Sequence, residues 1–425
     1  MRSVGLDFGT TNSAIGVADG DRVELARFAH DAGIADTFRS ILFFHPEVRD
    51  ARGRLTAVGG PRAIDRYLEA EGKGRLIQSL KSYLADRGFQ ATSIFARTHT
   101  LVDLLTLLLA DLRARAEEQL GPLGSKIVVG RPVHFAHASE GGEELALERL
   151  TASLANVGWT DVTFEYEPVA AAYYYEQQLT RDELVFIADF GGGTSDFSLI
   201  SVGPSHRNES KRRILGTDGV GIAGDALDAR VLHNVVAPML GLGSTYRAMF
   251  GRELEVPVWI YAKLRRWHHL SFLKTKKNID LLQEIASQTD EPEKIEALLH
   301  ILDYDLGYHL YRAVERAKVA LSGAESTHFE FADPPLLHIE ADLTRTQFEA
   351  WISEETTAMA ECVDRLLAST GVAAKDVDQV FMTGGTSFVP AVRRIFDERF
   401  GASKIRAGGE MISVATGLAL RSRDP

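Results

Sequence analysis

The N-terminal segment of the chain combines an acidic residue, a glycine turn and several hydroxyls. Residues 6–13 read LDFGTTNS and follow a short apolar stretch that predicts a buried strand. Glycine allows the backbone to turn tightly and to bring its N–H groups close to an anion such as phosphate, and Thr10, Thr11 and Ser13 add hydroxyl donors. Asp7 would repel the same anion, so it is better suited to hold a magnesium ion through water. For this segment alone, an ordinary tight β-turn is the alternative.

The same arrangement returns in the second half of the chain. Residues 187–196 read IADFGGGTSD, which again places an acid, Asp189, before a glycine turn and a hydroxyl. Three consecutive glycines, Gly191–Gly193, cost backbone entropy that a purely structural hairpin has little reason to carry. Two such hairpins can hold a triphosphate from opposite sides, and the pair is far more specific than either segment.

A third glycine turn lies near the C-terminus. Residues 381–390 read FMTGGTSFVP, which predicts a strand, a Gly-Gly turn and then a helix. This order leaves backbone exposed to a flat ligand such as adenosine. Taken alone, the segment is equally well explained as a plain connection between a strand and a helix.

These segments occur in the order of a known set of motifs. Together with EPVAAA at residues 167–172, they resemble the phosphate-one, connecting, phosphate-two and adenosine motifs of the actin, hexokinase and heat-shock-chaperone superfamily. The residues of these motifs most closely resemble those of the DnaK-type heat-shock protein 70 family, especially at 167–172 and in ERAKVALS at 315–322. The segment GRP at 130–132 and the insert around 259–267 look like the small YegD-like branch. The resemblance spans nearly the whole chain and is weakest at 49–74 and 241–293.

The resemblance implies a catalytic set. Asp7 and Asp189 would hold the water shell of Mg²⁺, and Glu167 would orient water at the metal or at the γ-phosphate. Lys81, matched by position and a short hydrophobic context, would reach the γ-phosphate, with a solvated helix lysine as the alternative. Asp196 would help to orient the attacking water. Such chemistry depends on positioning and charge neutralisation rather than on covalent steps by the protein.

The resemblance also implies the nucleotide contacts, as well as some departures from the family pattern. The residues expected to bind ATP or ADP are Gly9, Thr10, Thr11, Asn12, Gly191, Gly192, Gly193, Thr194, Gly224, Glu315, Lys318, Ser322, Gly384, Gly385 and Phe388. Where the family sandwiches adenine between two arginines, this chain has Val319 and Phe388. Asn12 stands where a tyrosine is common, and Ala223-Gly224-Asp225 replaces a Gly-Gly-Glu run. Pro132 stands where the family has a proline thought to relay the nucleotide state.

The elements that must position these residues predict an α/β fold. Strands and helices alternate, as at the predicted strand 126–135, and the two glycine hairpins indicate an internal duplication. The resemblance implies an actin-like ATPase fold with two lobes, each with a duplicated ribonuclease-H-like βββαβα core, and a nucleotide cleft between them. We expect lobe I at 1–182, with a closing helix at 408–425 packing on it, and lobe II at 183–407 with a variable insert at 238–293.

Composition narrows the classes of partner. The 425 residues include 47 basic and 59 acidic side chains, a net charge of −12, which disfavours nonspecific binding to nucleic acid or to an anionic membrane. The most apolar run, 101–112, is short for a membrane span, and no signal peptide is recognisable, so a cytoplasmic protein is expected. The single cysteine, Cys362, forms no intrachain disulfide and is expected in the core.

Three functions remain open at this point. The first is a slow ATPase that acts as a nucleotide-dependent conformational switch in chaperone-type protein quality control, with an unidentified protein partner or client. The second is a scaffold or assembly protein that holds nucleotide without significant turnover. The third is a small-molecule kinase, for which no catalytic aspartate stands out beyond the phosphate motifs. The sequence stops at Pro425, after a segment that resembles the family's closing helix and before any peptide-binding domain. We therefore expect either that a segment outside this chain supplies such a domain or that the output is different.

Overall fold

The structure is a computed structural model that describes most of the chain. The described residues are 2–20, 22–31, 33–50, 53–70, 73–136, 138–177, 179–206, 213–247, 252–265, 270–407 and 413–421. Trp267, at the end of the segment that resembles the YegD-like branch, lies outside these ranges. The same is true of 408–412 and 422–425 in the predicted closing segment.

The strands of the described residues are short to medium in length. They are β1 (Ser3–Asp7), β2 (Asn12–Asp19), β3 (Arg22–Leu25), β4 (Phe28–His30), β5 (Gly33–Ala35), β6 (Phe38–Arg39), β7 (Ile41–Arg49), β8 (Leu55–Gly59), β9 (Arg75–Gln78), β10 (Ala91–Ile94), β11 (Arg97–Thr100), β12 (Lys126–Arg131), β13 (Asp161–Tyr166), β14 (Glu183–Phe190), β15 (Ser195–Val202), β16 (Arg213–Val220), β17 (Thr245–Arg247), β18 (Glu253–Glu255), β19 (Ser326–Asp333), β20 (Leu337–Thr344), β21 (Gln379–Thr383) and β22 (Ile405–Ala407).

Helices follow or separate these strands. They are α1 (Pro61–Glu69), α2 (Leu101–Leu120), α3 (Gly142–Asn156), α4 (Glu167–Glu176), α5 (Gly224–Val231), α6 (Ala237–Met239), α7 (Val258–Leu264), α8 (Leu270–Leu273), α9 (Lys276–Gln288), α10 (Pro292–Asp303), α11 (Gly307–Gly323), α12 (Arg345–Trp351), α13 (Ser353–Thr370), α14 (Pro390–Phe400) and α15 (Ser413–Arg421). Among the described helices, none has the length and apolar character needed to cross a lipid bilayer.

The chain forms two compact units. The first consists of residues 1–224 and 357–425, and the second of residues 225–356. The predicted lobes, 1–182 and 183–407, follow a different boundary and stay a prediction.

Two sheets of the first unit have the same strand order. One runs β13-β12-β1-β2-β3, with β6 added to β2, and the other runs β22-β21-β14-β15-β16. In each sheet the two hairpin strands pair antiparallel with each other, and the second hairpin strand also pairs antiparallel with the next strand of the chain. In each, the first hairpin strand also pairs parallel with a later strand of the chain. The predicted α/β class and the duplication inferred from the two glycine hairpins are therefore confirmed.

Helix α2 forms much of the core beside the first sheet. It begins at a capping box in which Thr100 and Asp103 satisfy each other's backbone N–H groups. Its leucines at three- and four-residue spacing are buried, as the amphipathic pattern predicts. The helix ends at Leu120, where Gly121 adopts a positive φ of 74°.

Helices α4 and α15 pack against each other through their backbones. A Cβ atom added at Gly417 of α15 would lie 1.7 Å from the Ala170 carbonyl oxygen of α4. Another added at Gly5 of β1 would lie 2.2 Å from the Ala419 nitrogen. Both positions therefore require glycine, and α15 lies directly against α4 and β1.

The second unit is mostly helical with two hairpins. Strands β17 and β18 form one hairpin, and β19 and β20 form the other. The segment 238–293, whose sequence shows little periodicity, contains α7 and α9 among its described residues. Helix α11 carries the segment 315–322 that resembles the family pattern.

Candidate functional site

The turn between β1 and β2 is held by serine side chains. The Gly9 N–H donates to Ser13 Oγ over 3.3 Å, and Ser40 Oγ donates to the Gly9 carbonyl over 2.7 Å. The two hydroxyls lie 2.9 Å apart and are buried. A Cβ atom at Gly9 would come within 2.0 Å of the Asn12 carbonyl oxygen, so this turn requires glycine. Thr10 and Thr11 lie within the turn between the two strands.

The turn between β14 and β15 is similarly ordered. The Gly191 N–H donates to the Thr194 carbonyl over 2.9 Å, and Ser195 Oγ donates to the Ile222 carbonyl over 2.7 Å. The Gly224 N–H, which opens α5, approaches the Gly191 carbonyl at 3.5 Å. The backbone around Gly224 is thereby placed at the edge of this turn.

The two turns lie next to each other within the first unit. A Cβ atom at Gly193 would lie 3.6 Å from Thr10 Oγ1 of the first turn and 3.7 Å from Ser82 Oγ. Hydroxyl and backbone donors from both hairpins are therefore close together. Gly192 lies between Gly191 and Gly193 in the same turn.

Acidic side chains converge beside these turns. Asp7 ends β1, and Asp189 lies opposite Asp196 in the register of β14 and β15. Glu167 begins α4, where Pro168 takes an early position that suits proline. Lys81 lies in the 3-10 turn Leu80–Tyr83, and its Nζ is 2.6 Å from Glu167 Oε1, with side-chain exposures of only 9% and 8%.

Burial and mutual repulsion raise the pKa values of three of these acids. Burial is the largest cause and raises the pKa of Asp7 to about 7, with Glu167 adding to the increase and Lys81 opposing it. Burial and then Glu167 likewise raise the pKa of Asp196 to about 7, against hydrogen bonds from Thr194 and Val133. The pKa of Asp189 is raised well above its ordinary value by burial and by its acidic neighbours.

Lys81 is a buried cation that lies among these acids and partly neutralises their charge. Burial lowers the pKa of Lys81, but Glu167 and Asp7 more than reverse the effect, so the pKa lies above its ordinary value. The ammonium is therefore charged at neutral pH. One lysine facing four carboxylates leaves an excess of negative charge whenever the acids are ionised.

This excess of buried carboxylate fits a bound cation. Among the residues that the structure describes, no group of three or more His, Cys, Asp or Glu side chains is arranged to ligate a metal directly. That Asp7 and Asp189 hold Mg²⁺ through water stays a prediction.

The third glycine turn abuts the second hairpin. Gly384 has a φ of 87°, and a Cβ atom there would lie 1.9 Å from the Phe190 carbonyl oxygen. A Cβ atom at Gly385 would meet nothing within 4 Å. Phe388 is 53% exposed, so its ring is available for stacking. These features keep the predicted surface for adenosine open on the first unit.

The other predicted nucleoside contacts belong to α11 in the second unit. Lys318 Nζ lies 2.8 Å from Asp228 Oδ2, Glu315 pairs with Arg312, and Ser322 Oγ donates to the Lys318 carbonyl. Burial lowers the pKa of Lys318, but Asp228 raises it beyond its ordinary value. Lys318 is therefore charged, and its position is set by Asp228.

Sequence reasoning missed several groups that shape the site. Ser40 is hidden in an apolar run, the Val133 N–H is a backbone donor to Asp196, and Asp228 follows the weakly matched segment at Gly224. The only available signal was a polar residue, Ser40, inside an otherwise apolar strand pattern.

Comparisons with known proteins find a matching family model and a similar curated relative. A family model described as "Hsp70 protein" matches residues 281–423. The "Chaperone protein DnaK" of Thermosipho africanus (strain TCF52B) is 24% identical over 430 positions, which cover 99% of this chain and 58% of that relative. The chain thus spans 58% of the length of this curated relative. With its paired glycine hairpins on an α/β fold of the actin-like ATPase type, the chain is similar to the Hsp70 family.

Proposed function

We propose that the protein binds ATP with Mg²⁺, hydrolyses it slowly and changes a protein-binding surface with its nucleotide state. One observation carries this proposal. Two glycine turns from repeated hairpins meet at Thr10 and Gly193, with Asp7 and Asp189 at the strand ends that lead into them. Such paired turns suit a chain of phosphates better than a single anion.

The turns supply the phosphate contacts. Backbone N–H groups of glycine turns and the hydroxyls of Thr10, Thr11 and Thr194 are donors suited to phosphate oxygens. The Asn12 amide is fixed by Arg39, whose Nη1 donates to Asn12 Oδ1 over 3.1 Å. We assign this residue to the rim of the phosphate site.

The hydrolytic step uses the buried acids and the lysine. Lys81 neutralises charge on the γ-phosphate, and Glu167 orients the attacking water. Asp196, whose pKa is raised to about 7, is suited to accept the proton that the water loses. Mg²⁺, when bound, neutralises phosphate charge, and the water shell around it is held by Asp7 and Asp189.

The nucleoside end of the ligand is assigned on the family resemblance. Gly385 and Phe388 offer an open backbone and an exposed ring to the base. Glu315, Lys318 and Ser322 of α11 are assigned to the ribose and the base edges. Because Val319 is 63% exposed and apolar, it offers only an apolar contact to adenine.

The switch role rests on the similarity to a relative named as a chaperone. Hydrolysis and release remove the γ-phosphate and its negative charge from the site between the turns. This loss shifts the equilibrium between two conformations of the protein. A protein client or partner would read this change, as part of chaperone-type quality control.

ATP binding and phosphate release by the purified chain test the proposal. Calorimetry and a phosphate-release assay, each with and without Mg²⁺, should show binding and slow release that depends on the metal. Asp189→Ala should abolish release. Asp19→Ala, at the exposed far end of β2, should leave it unchanged. Unchanged release in Asp189→Ala would refute the catalytic assignment, and binding without release would favour a protein that only holds nucleotide.

A further inference from the structure

The segment that follows β12 contacts one of the buried acids. The catalytic assignment above gives this contact no role. The Val133 N–H donates to Asp196 Oδ1 over 2.6 Å in a buried position. A Cβ atom at Gly219 would lie 2.9 Å from the same oxygen, so the space around this carboxylate is closed. The position of Asp196 is therefore set by where the backbone at Val133 lies.

The backbone at Val133 is held by Arg131. The Arg131 guanidinium lies 5.3 Å from the centre of the Phe135 ring and 5.2 Å from that of the Tyr166 ring. Its Nη2 donates to Glu143 Oε2 over 2.6 Å, and its Nε donates to the Pro132 carbonyl over 3.2 Å. These contacts fix both ends of the segment 132–135.

Glu143 closes the arrangement from α3. Its Oε1 accepts the Phe135 N–H over 2.9 Å, while its Oε2 accepts from Arg131. A single carboxylate thus anchors the arginine and the backbone two residues beyond Val133. Arg131 is also opposite Tyr166 in the register of β12 and β13, and Tyr166 directly precedes Glu167. The arginine therefore contacts neighbours of both water-orienting acids.

We propose that Arg131 is a positioning residue for hydrolysis, which presents the Val133 N–H to Asp196 and fixes the start of α4 at Glu167. The inference rests on the proposed ATPase function and adds a residue to it. Arg131 does not contact the reacting atoms in this assignment, so its loss should slow the chemical step without weakening nucleotide binding.

Arg113 provides a matched control in the same unit. Its guanidinium lies 4.9 Å from the centre of the Trp159 ring, and its Nε is 3.0 Å from Glu117 Oε1. It also donates to the carbonyls of Val157 and Gly124, each over 2.8 Å. Arg113 therefore has the same kinds of contact as Arg131, but its partners do not adjoin Asp196 or Glu167.

The test combines single-turnover hydrolysis, ADP affinity and amide hydrogen exchange at Val133. Arg131→Met should lower the single-turnover rate about tenfold and leave the ADP affinity within about twofold. Glu143→Gln should have a similar effect, and the double variant should be no slower than Arg131→Met, since both act through one arrangement. Arg131→Lys keeps the charge without planar stacking and should be intermediate. Arg113→Met should lower the melting temperature but not the rate.

The outcomes separate this inference from the proposed function. A single-turnover rate in Arg131→Met equal to that of the unaltered protein would overturn the positioning role. If the unaltered protein shows no turnover, the proposed function fails, and hydrogen exchange at Val133 still decides whether Arg131 positions this N–H at Asp196. The two variants are compared under conditions in which they are equally stable. Faster hydrogen exchange at Val133 in Arg131→Met than in Arg113→Met supports the inference, and equal exchange overturns it.

Discussion

At the level of single side chains, the buried acids lower the stability of the nucleotide-free protein. Asp7, Asp189 and Asp196 all have pKa values raised chiefly by burial, which means that folding disfavours their ionised forms. A cation and its water shell would relieve this cost when the ligand is bound. Stability and ligand binding therefore make opposite demands on the same residues.

Replacement of Asp7 by Asn should stabilise the empty protein. The folded-state pKa of about 7 lies above the ordinary 3.8, so the ionised carboxyl lowers stability progressively as pH rises between these values. The free energy of unfolding of Asp7→Asn should exceed that of the unaltered protein by roughly 1–3 kcal/mol at about pH 8. The gain should shrink as the pH falls toward 3.8. Urea unfolding across pH measures it.

The exposed Asp19→Asn is the control for this experiment and should show no gain at any pH. A gain in Asp7→Asn that did not depend on pH would contradict an origin in the carboxyl charge. The same substitution should weaken ATP binding more when Mg²⁺ is present than when it is absent.

Replacement of Lys81 should cost more stability than replacement of its partner. Lys81→Met leaves Glu167 buried among other acids without its cation, at a cost of roughly 3–5 kcal/mol. Glu167→Gln still leaves Asp7, Asp189 and Asp196 around the lysine, so its loss of stability should be smaller. Urea unfolding midpoints of the two variants measure the difference. Equal losses would show that Lys81 interacts with Glu167 alone.

Single side chains were predictable from the sequence only where a motif repeats. The acids at 7 and 189 follow from two similar hairpins, whereas Lys81 was expected only from the family resemblance, by position and a short hydrophobic context. The contact from Ser40 to Gly9 joins residues 31 apart, and that from Val133 to Asp196 joins residues 63 apart. No local pattern encodes such contacts, because tertiary packing creates them.

At the level of elements, adjacent glycines separate structural from ligand-binding requirements. Gly384→Ala should destabilise the protein by roughly 2–4 kcal/mol, because of its positive φ and its approach to the Phe190 carbonyl. Gly385→Ala should change stability by less than about 0.5 kcal/mol, since its Cβ meets only open space. Thermal unfolding compares the two. If the adenosine lies across this turn, Gly385→Ala should also weaken ATP binding, and unchanged affinity would place the nucleoside elsewhere.

Element boundaries were less predictable than element types. The sequence predicts a strand at 126–135, but β12 ends at Arg131 because Pro132 has no N–H to continue the ladder. Helix α2 begins at the predicted Leu101, where the Thr100 cap is visible in the sequence. A boundary is thus predictable where a cap residue marks it. The contacts of Arg131 and Glu143 with residues 132–135 are not predictable in this way.

At the level of the whole molecule, Cys362 reports on opening of the first unit. The thiol is fully buried, and burial, followed by the charge of Asp218, raises its pKa to about 12. It should not react with a thiol reagent near neutral pH until the unit opens. ATP with Mg²⁺ at about 100 times its Kd should slow the reaction about 100-fold, through a stabilisation of about 2.7 kcal/mol. Spectrophotometric thiol titration measures this rate.

Denaturant provides the reference for the thiol reaction, because one thiol per chain should then react rapidly. A native reaction rate that did not respond to ATP would mean that the thiol is exposed by a local opening remote from the phosphate turns.

The packing of α15 has a consequence for how the protein can be divided. This helix comes from the end of the chain but lies against α4, β1 and β2 of the first repeat. A break in the backbone between α4 and β14 would leave that contact intact. Two polypeptides separated there and produced together should therefore reassemble, which makes this connection suitable for a split reporter. The first polypeptide alone should require α15 as an added peptide to cover its apolar surface.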